Sequence, residues 1–265
     1  MLSTLDPTRI DHGGATLECS LVPWDSETFG FPVAQIDHVE LAPDPAGPGT
    51  QEVLARFDAW CSERGVRLVS CRLDHTQLRE SMALEGLGFR FVEMVYGPRL
   101  TDLASVAAPR HAIEVAETGP GDLDAIESIA YDAFTTGRFL LDWRLPGELS
   151  RRRYATWVRN SLAAPGEMVL KAEVDGDLIG FFIVEPRPDR SVYWHLTAVA
   201  PNWQGKGMGM SLWQTMLIRH RGEGATSVET TISGHNAPAM NLYARLGFDF
   251  ASTKMTLHWL RDPSR

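Results

Sequence analysis

The sequence has no apolar run approaching the roughly 18 residues that a membrane-crossing helix needs. Residues 1–14 are polar and hold nothing like the apolar centre of a secretory leader. Cysteine is scarce: Cys19, Cys61 and Cys71 are the only three, and their spacing matches no metal-binding pattern. These absences predict a cytoplasmic chain with reduced thiols, no resident metal and no membrane partner. Basic charge is also short. The 265 residues carry 25 Lys and Arg against 34 Asp and Glu, a net charge of −9. Proteins that grip nucleic acid present a basic face, so none is expected as a partner. The triplet Arg151, Arg152, Arg153 reads instead as the solvated face of a helix.

What is present is an ordinary globular mixture, 44% hydrophobic and 22% charged, in a chain long enough for one large domain or two smaller ones. Leu41–Thr50 is rich in Pro and Gly and reads as a loop. Thr101–Arg110 reads as a linker, which places a domain boundary near 108. Before it, strands are predicted over Thr16–Val22, Val33–Ile36, Arg67–Leu73 and Phe89–Tyr96, with helices over Gln51–Glu63 and Gln77–Glu85. After it come helices over Gly121–Phe134 and Ser150–Leu162. Asp175-Gly176-Asp177 then marks a hairpin between Met168–Val174 and Leu178–Glu185. A strand over Ser191–Ala200, helix Gly207–Arg221, strand Ser227–Ile232, helix Ala237–Leu246 and a closing strand or strand pair over Phe248–Trp259 complete the chain.

An internal repeat crosses the boundary. Leu87-Gly88-Phe89-Arg90-Phe91 matches Leu246-Gly247-Phe248-Asp249-Phe250, an offset of 247 − 88 = 159. At that offset Gln77 answers Asn236 and Leu84 answers Tyr243. No glycine-rich loop is read before the first copy, which is therefore expected to be catalytically silent.

The chemistry concentrates in the second copy. A strand runs into Pro201 and is followed by Gln204-Gly205-Lys206-Gly207-Met208-Gly209, then by a helix. Glycines let a backbone approach a ligand closely, and the helix start adds a positive dipole end; together they can cradle a pyrophosphate. The Walker pattern fails because Gly207 follows Lys206. The dinucleotide pattern fails because Met210 stands where glycine is required.

Gln-x-x-Gly-x-Gly resembles the acyl-CoA loop of the GNAT N-acetyltransferases. Leu196–Pro201 resembles the strand before that loop, and Asn236–Phe248 resembles the family's N-x-x-A-x-x-L-Y-x-x-L-G-F segment. The likeness covers residues 112–260. It implies an α/β (α+β) GNAT fold, a mixed central sheet flanked by helices. With the repeat, it implies a tandem: a degenerate GNAT-like half over 1–108 and a catalytic half over 109–265. Val22–Gly30 and Gly137–Asp142 further resemble a subgroup that includes the dTDP-fucosamine acetyltransferases.

The resemblance implies acetyl-CoA as acyl donor, with Ala198, Val199, Gln204, Gly205, Lys206, Gly207, Met208, Gly209, Asn236 and Tyr243 around it. It places Tyr243 near the thioester sulfur as the acid, against the plain reading of a packed helix tyrosine. It also points to the Val199 N–H as the oxyanion donor. On the strand, alternation puts Tyr193, His195, Thr197 and Val199 on one face. His195 is then a candidate base, with Glu185, Glu229 or a water chain ending at Asp142 as alternatives. The resemblance lays Thr135–Leu149 over the acceptor, with Arg138, Phe139 and Asp142 as candidate contacts. No cysteine follows Cys71, which favours direct transfer over an acyl-cysteine. The expected activity is acetylation of a small-molecule primary amine (an amino sugar, nucleotide-linked amino sugar, amino acid or secondary-metabolite amine) by a monomer or homodimer. A peptide acetyltransferase and a non-catalytic acyl-CoA-binding regulator are the alternatives.

Overall fold

The computed structural model describes residues 5–261. A hairpin comes first, β1 (Leu5–His12) and β2 (Ala15–Leu21), turning through Gly13 and Gly14 at positive φ. Then follow α1 (Pro23–Phe29), β3 (Val33–Glu40), α2 (Pro48–Glu63), β4 (Leu68–Asp74), α3 (Leu78–Gly86) and β5 (Arg90–Leu100). The rest of the chain forms β6 (Glu114–Glu117), α4 (Leu123–Ala133), α5 (Arg138–Leu141), α6 (Gly147–Ala163), β7 (Met168–Val174), β8 (Asp177–Pro186) and β9 (Ser191–Val199). It ends with α7 (Met208–Gly222), β10 (Ser227–Thr230), β11 (Ile232–Ser233), α8 (Ala237–Arg245) and β12 (Asp249–Leu260).

Two compact units result. The first takes the chain up to Met94, Leu141–Arg144 and the chain from Thr253; the second takes Val95–Leu140 and Leu145–Ser252. In the first, the strands run β1-β2-β3-β4-β12, with only β3 and β4 parallel. Helix α2 lays Val53, Phe57, Trp60 and Cys61 on the sheet, one stripe at helical spacing. All three cysteines are buried here, and burial pushes the Cys19 and Cys71 thiols up to about 12.

In the second unit the order is β5-β10-β9-β8-β7-β6, with β11 pairing β5. Strand β8 carries the unbroken run Phe181-Phe182-Ile183-Val184 because both of its faces are covered. Phe181 and Ile183 pack with Ile126 and Val158 of α4 and α6, while Phe182 and Val184 pack with Leu212 and Met216 of α7. The Asp175–Gly176 turn between β7 and β8 makes the expected hairpin, with φ of 51° and 84°, as in a type I′ turn.

The repeat is architectural. Strand β4 starts at 68 and β10 at 227, α3 at 78 and α8 at 237, β5 at 90 and β12 at 249; each difference is 159. The parallel pairs also match: Val33↔Leu68 to Ile36↔Cys71 in one unit, Ser191↔Ser227 to Trp194↔Thr230 in the other. The last strands are exchanged between the copies. Strand β4 pairs with β12 through Asp74↔Lys254, and β11 pairs with β5 through Ser233↔Val95.

One expectation is corrected. A glycine-bearing loop does precede the first copy: residues 41–47 lead from β3 into α2 as residues 200–207 lead from β9 into α7. Several elements went unread. Strand β1 buries only Ile10 and contains Pro7, which its edge position tolerates. The short α1, α5 and β6 have too few turns or pairs to leave a periodic signature.

Candidate functional site

The centre of the site is a defect in β9. Ile183 of β8 pairs with Leu196, but Val184 pairs with Trp194, so His195 is an extra residue bulged from the ladder. The bulge switches the faces. Val192 and Trp194 join the core under α7 and α8, whereas Leu196 and Ala198 join the core under α4 and α6. The expected common face of Tyr193, His195, Thr197 and Val199 is therefore corrected. His195 lies toward α6, its ring 6.4 Å from that of Trp157, while Val199 packs on the α7 and α8 side.

Just beyond the bulge the strands part. Pairing of β9 with β10 ends at Trp194↔Thr230, and β11 turns to β5. The Ala200 N–H donates to the Ile179 carbonyl at 2.8 Å, so by alternation the Val199 N–H points away from β8, toward the opening. The Val199 carbonyl accepts from Gln204 Nε2 at 3.0 Å, which ties the strand to the loop that follows.

In that loop Gly205 has φ of 73° and Gly207 of 79°, both left-handed, and a Cβ at either would meet only open space. Alternating left-handed glycines before a helix turn successive N–H groups to one side, an anion-binding nest. Helix α7 starts at Met208 with no acidic residue in its first turn, so its dipole is uncancelled there. Lys206 Nζ sits 5.0 Å from the Trp203 ring centroid. Gly205, Gly207, Gly209 and Met210 form one wall of an open pocket of about 370 Å³; Pro238, Asn241, Leu242 and Arg245 of α8 form the other. These α8 residues went unread in the sequence. Their spacing of three and four residues, one helix face, was the available signal. Met208 and Ala198 bury their side chains, leaving backbone as what they can offer a ligand. Asn236 caps α8, its Oδ1 accepting from the Ala239 N–H at 3.1 Å.

Tyr243 stands on α8 with 1% of its surface exposed, its ring edge-on to Phe248 at 4.9 Å. Its hydroxyl is buried without a hydrogen-bond partner among the described residues, as is the Trp213 Nε1. Burial raises its pKa above the usual 10, only partly offset by the polar side chains nearest to it, Trp213, Thr197 and Thr230. Thr197 and Thr230 belong to the two strands on either side of the parting. A buried hydroxyl without a partner costs about 1–3 kcal/mol, and such groups in native structures ask for a reason. A glycine nest open to solvent and an unsatisfied donor at the parted strands fit a pyrophosphate-bearing thioester.

On the α6 side, His195 Nε2 lies 2.9 Å from Glu185 Oε2 and 3.9 Å from Glu167 Oε1, with the Tyr193 ring edge-on at 4.9 Å. Glu229 is engaged elsewhere, by Arg99 at 3.1 Å and Arg187 at 3.5 Å. Phe139 is buried, with the guanidinium groups of Arg138 and Arg153 each 4.6 Å from its ring centroid. Gly137 leaves room for the Tyr154 hydroxyl, which a Cβ there would displace. Asp142 belongs to the first compact unit. There it is gripped by Arg144 through both Nε and Nη2 at 2.8 Å and by His258 Nδ1 at 3.0 Å. Burial alone would raise the Asp142 carboxyl; the His258 and Arg144 hydrogen bonds and charges overcome it and hold the group well below the usual range. The structure thus ties Val199 to the loop through Gln204, sets Tyr243 beside Thr197 and Thr230 at the parted strands, groups His195 with Glu185 and Glu167, and engages Asp142 in a buried ion pair.

Residues 124–248 match the model of the Acetyltransferase (GNAT) family. The chain is 29% identical over 135 residues to a spore coat polysaccharide biosynthesis protein, SpsD, of Bacillus subtilis, covering 51% of this chain and 46% of that one. It is 36% identical over 115 residues to an L-2,4-diaminobutyric acid acetyltransferase of Nocardia farcinica, covering 43% and 58%. It therefore spans about half the length of these curated relatives. Among solved structures, a tandem GNAT protein from the clavulanic acid biosynthesis pathway superposes with a TM-score of 0.63 at 15% identity, over 95% of this chain and 80% of that one. Residues 124–248 thus carry a domain of the GNAT N-acetyltransferase family, and the chain shares the fold of a tandem GNAT protein.

Proposed function

We propose that the chain moves an acetyl group from acetyl-CoA to the primary amine of a small molecule, by direct transfer with both substrates bound. The observation that carries the reading is the Tyr243 hydroxyl, buried and unpartnered beside Thr197 and Thr230 where the strands part. Acetyl-CoA supplies an activated thioester. The N–H groups of Gly205 to Gly209 and the start of α7 hold its pyrophosphate, and Arg245 brings positive charge to the α8 wall. The Val199 N–H donates to the carbonyl oxygen as charge develops there. An alkylamine is largely protonated at neutral pH, so its proton must leave first. His195 accepts it, and Glu185 at 2.9 Å orients the imidazole and supports its charge. As the C–S bond breaks, Tyr243, kept protonated by burial, donates to the departing sulfur, and the surplus proton of the acylated nitrogen makes good that loss as the amide forms.

The acceptor is an amino sugar, a nucleotide-linked amino sugar, an amino acid or a secondary-metabolite amine. Glu167 and Glu185 around His195, bordered by Tyr193 and Trp157, suit a cationic amine. The Nocardia farcinica relative is named for an amino-acid acceptor, L-2,4-diaminobutyric acid. The test is thiol release from acetyl-CoA with a panel of amino sugars, nucleotide-linked amino sugars, amino acids, arylalkylamines and short peptides. Turnover with one small-molecule group is expected. Turnover with peptides alone, or CoA binding without turnover across the panel, would overturn the reading.

A further inference from the structure

The loop before α2 can be set on the loop before α7. At an offset of 158, Ala42-Pro43 falls on Ala200-Pro201, Gly47 on Gly205, Pro48 on Lys206 and Gly49 on Gly207. The offset is the one that relates β3 to β9, 191 − 33 = 158. The first unit thus contains a second copy of the cleft described above, a loop running into a helix with α3 where the second unit has α8.

This copy is closed from within. Gly47 has φ of −71°, and neither it nor Gly49 is among the left-handed glycines, so no nest forms. Pro48, in the place of Lys206, has no N–H to give. The Asp44 carboxylate accepts from the Ala46 N–H at 3.1 Å and lies against Gly47, within 3.0 Å of where a Cβ would stand. It puts a negative charge where an incoming phosphate would need to come. The carbonyl of Gly13, at the tip of the first hairpin, covers Gly49, 2.7 Å from a Cβ built there. Across the gap, Arg79 of α3 donates Nη2 to the carbonyls of Ala42 at 3.0 Å and Pro43 at 2.8 Å. At the 159 offset Arg79 stands where Pro238 lines the open pocket of the second unit.

We infer that the first unit is a self-occupied copy of the acyl-CoA cleft, with Asp44 in place of the phosphate and Arg79 across the gap, so that each chain takes up one coenzyme A. The inference rests on the proposed function only for the identity of the ligand in the second unit. Calorimetry of the whole chain with coenzyme A tests it. One site per chain is expected. Gly209→Asp should remove it, weakening binding at least tenfold. That side chain has room, 3.8 Å from Leu242 Cδ2, and an acid suits the first turn of α7. Arg245→Glu, on an exposed position of α8, should weaken the same site without disturbing the fold. Two sites in the parent, or undiminished binding in both variants while thermal melts show them folded, would overturn the inference. No binding at all would sink the proposed function and, with it, the single site per chain inferred here.

Discussion

Removing the Tyr243 hydroxyl separates two quantities that usually fall together. In Tyr243→Phe no hydrogen bond is lost, because the hydroxyl makes none among the described residues, so the melting temperature should hold or rise. Turnover should fall about 100-fold, the scale of one positioned acid, with coenzyme A affinity within a factor of two of the parent. A variant with full turnover would return Tyr243 to ordinary core packing. Asp142 is expected to behave in the opposite way. Its folded-state pKa is depressed, so its contribution to stability is present above the unfolded value of about 4 and is lost as pH falls below it. Asp142→Asn should cost about 3 kcal/mol at neutral pH, because it leaves Arg144 and His258 facing a neutral group. It should also flatten the acid limb of a stability profile taken by urea melts between pH 3 and 8. A variant as stable as the parent would mean the ion pair contributes nothing net.

At the scale of the element, α8 carries two roles that one substitution can divide. Asn236→Ala removes the cap that accepts from the Ala239 N–H and should cost about 1 kcal/mol in denaturant melts. If Asn236 serves only as the cap, coenzyme A affinity will be unchanged; a marked loss of affinity would show that it also touches the ligand. The local features of this half were legible from sequence for a physical reason. Asp175-Gly176 and the Gln204–Gly209 loop rely on left-handed backbone, which few residues other than glycine adopt readily, so the requirement is written in the residues themselves. The bulge at His195 was not legible. It is a fact of register between β8 and β9, and nothing in the composition of β9 marks it. The capping of Asn236 and the α8 wall of the pocket could have been read from helical spacing. The closed loop at 41–50 was hidden by Pro48 standing where Lys206 stands, although Ala-Pro and Gly-x-Gly recur at a constant offset.

The whole molecule was legible as a repeat but not as an exchange. Matching halves in sequence suggest that each half closes its own sheet, whereas here β12 lies on β4, and β5 lies on β10 and β11. Sequence similarity reports which strands are alike, not which pair. A polypeptide of residues 109–265 alone therefore lacks β5 and leaves the edge of β10 bare. We expect it to aggregate or to melt well below the full chain; supplying residues 1–108 as a separate polypeptide should restore solubility. A 109–265 fragment as stable as the parent would show the β5 pairing to be dispensable.

The pairing of Leu68 with Leu260 also sets an order of events during synthesis. A ribosome delivers β4 long before the strand that flanks it, so the first-made half waits with an unpaired edge until β12 emerges. Completion of that half is then paced by elongation and by loop closure across most of the chain, not by its own local contacts. Slow codons or a stalled ribosome between β4 and β12 would prolong the interval in which that edge is open to the wrong partner.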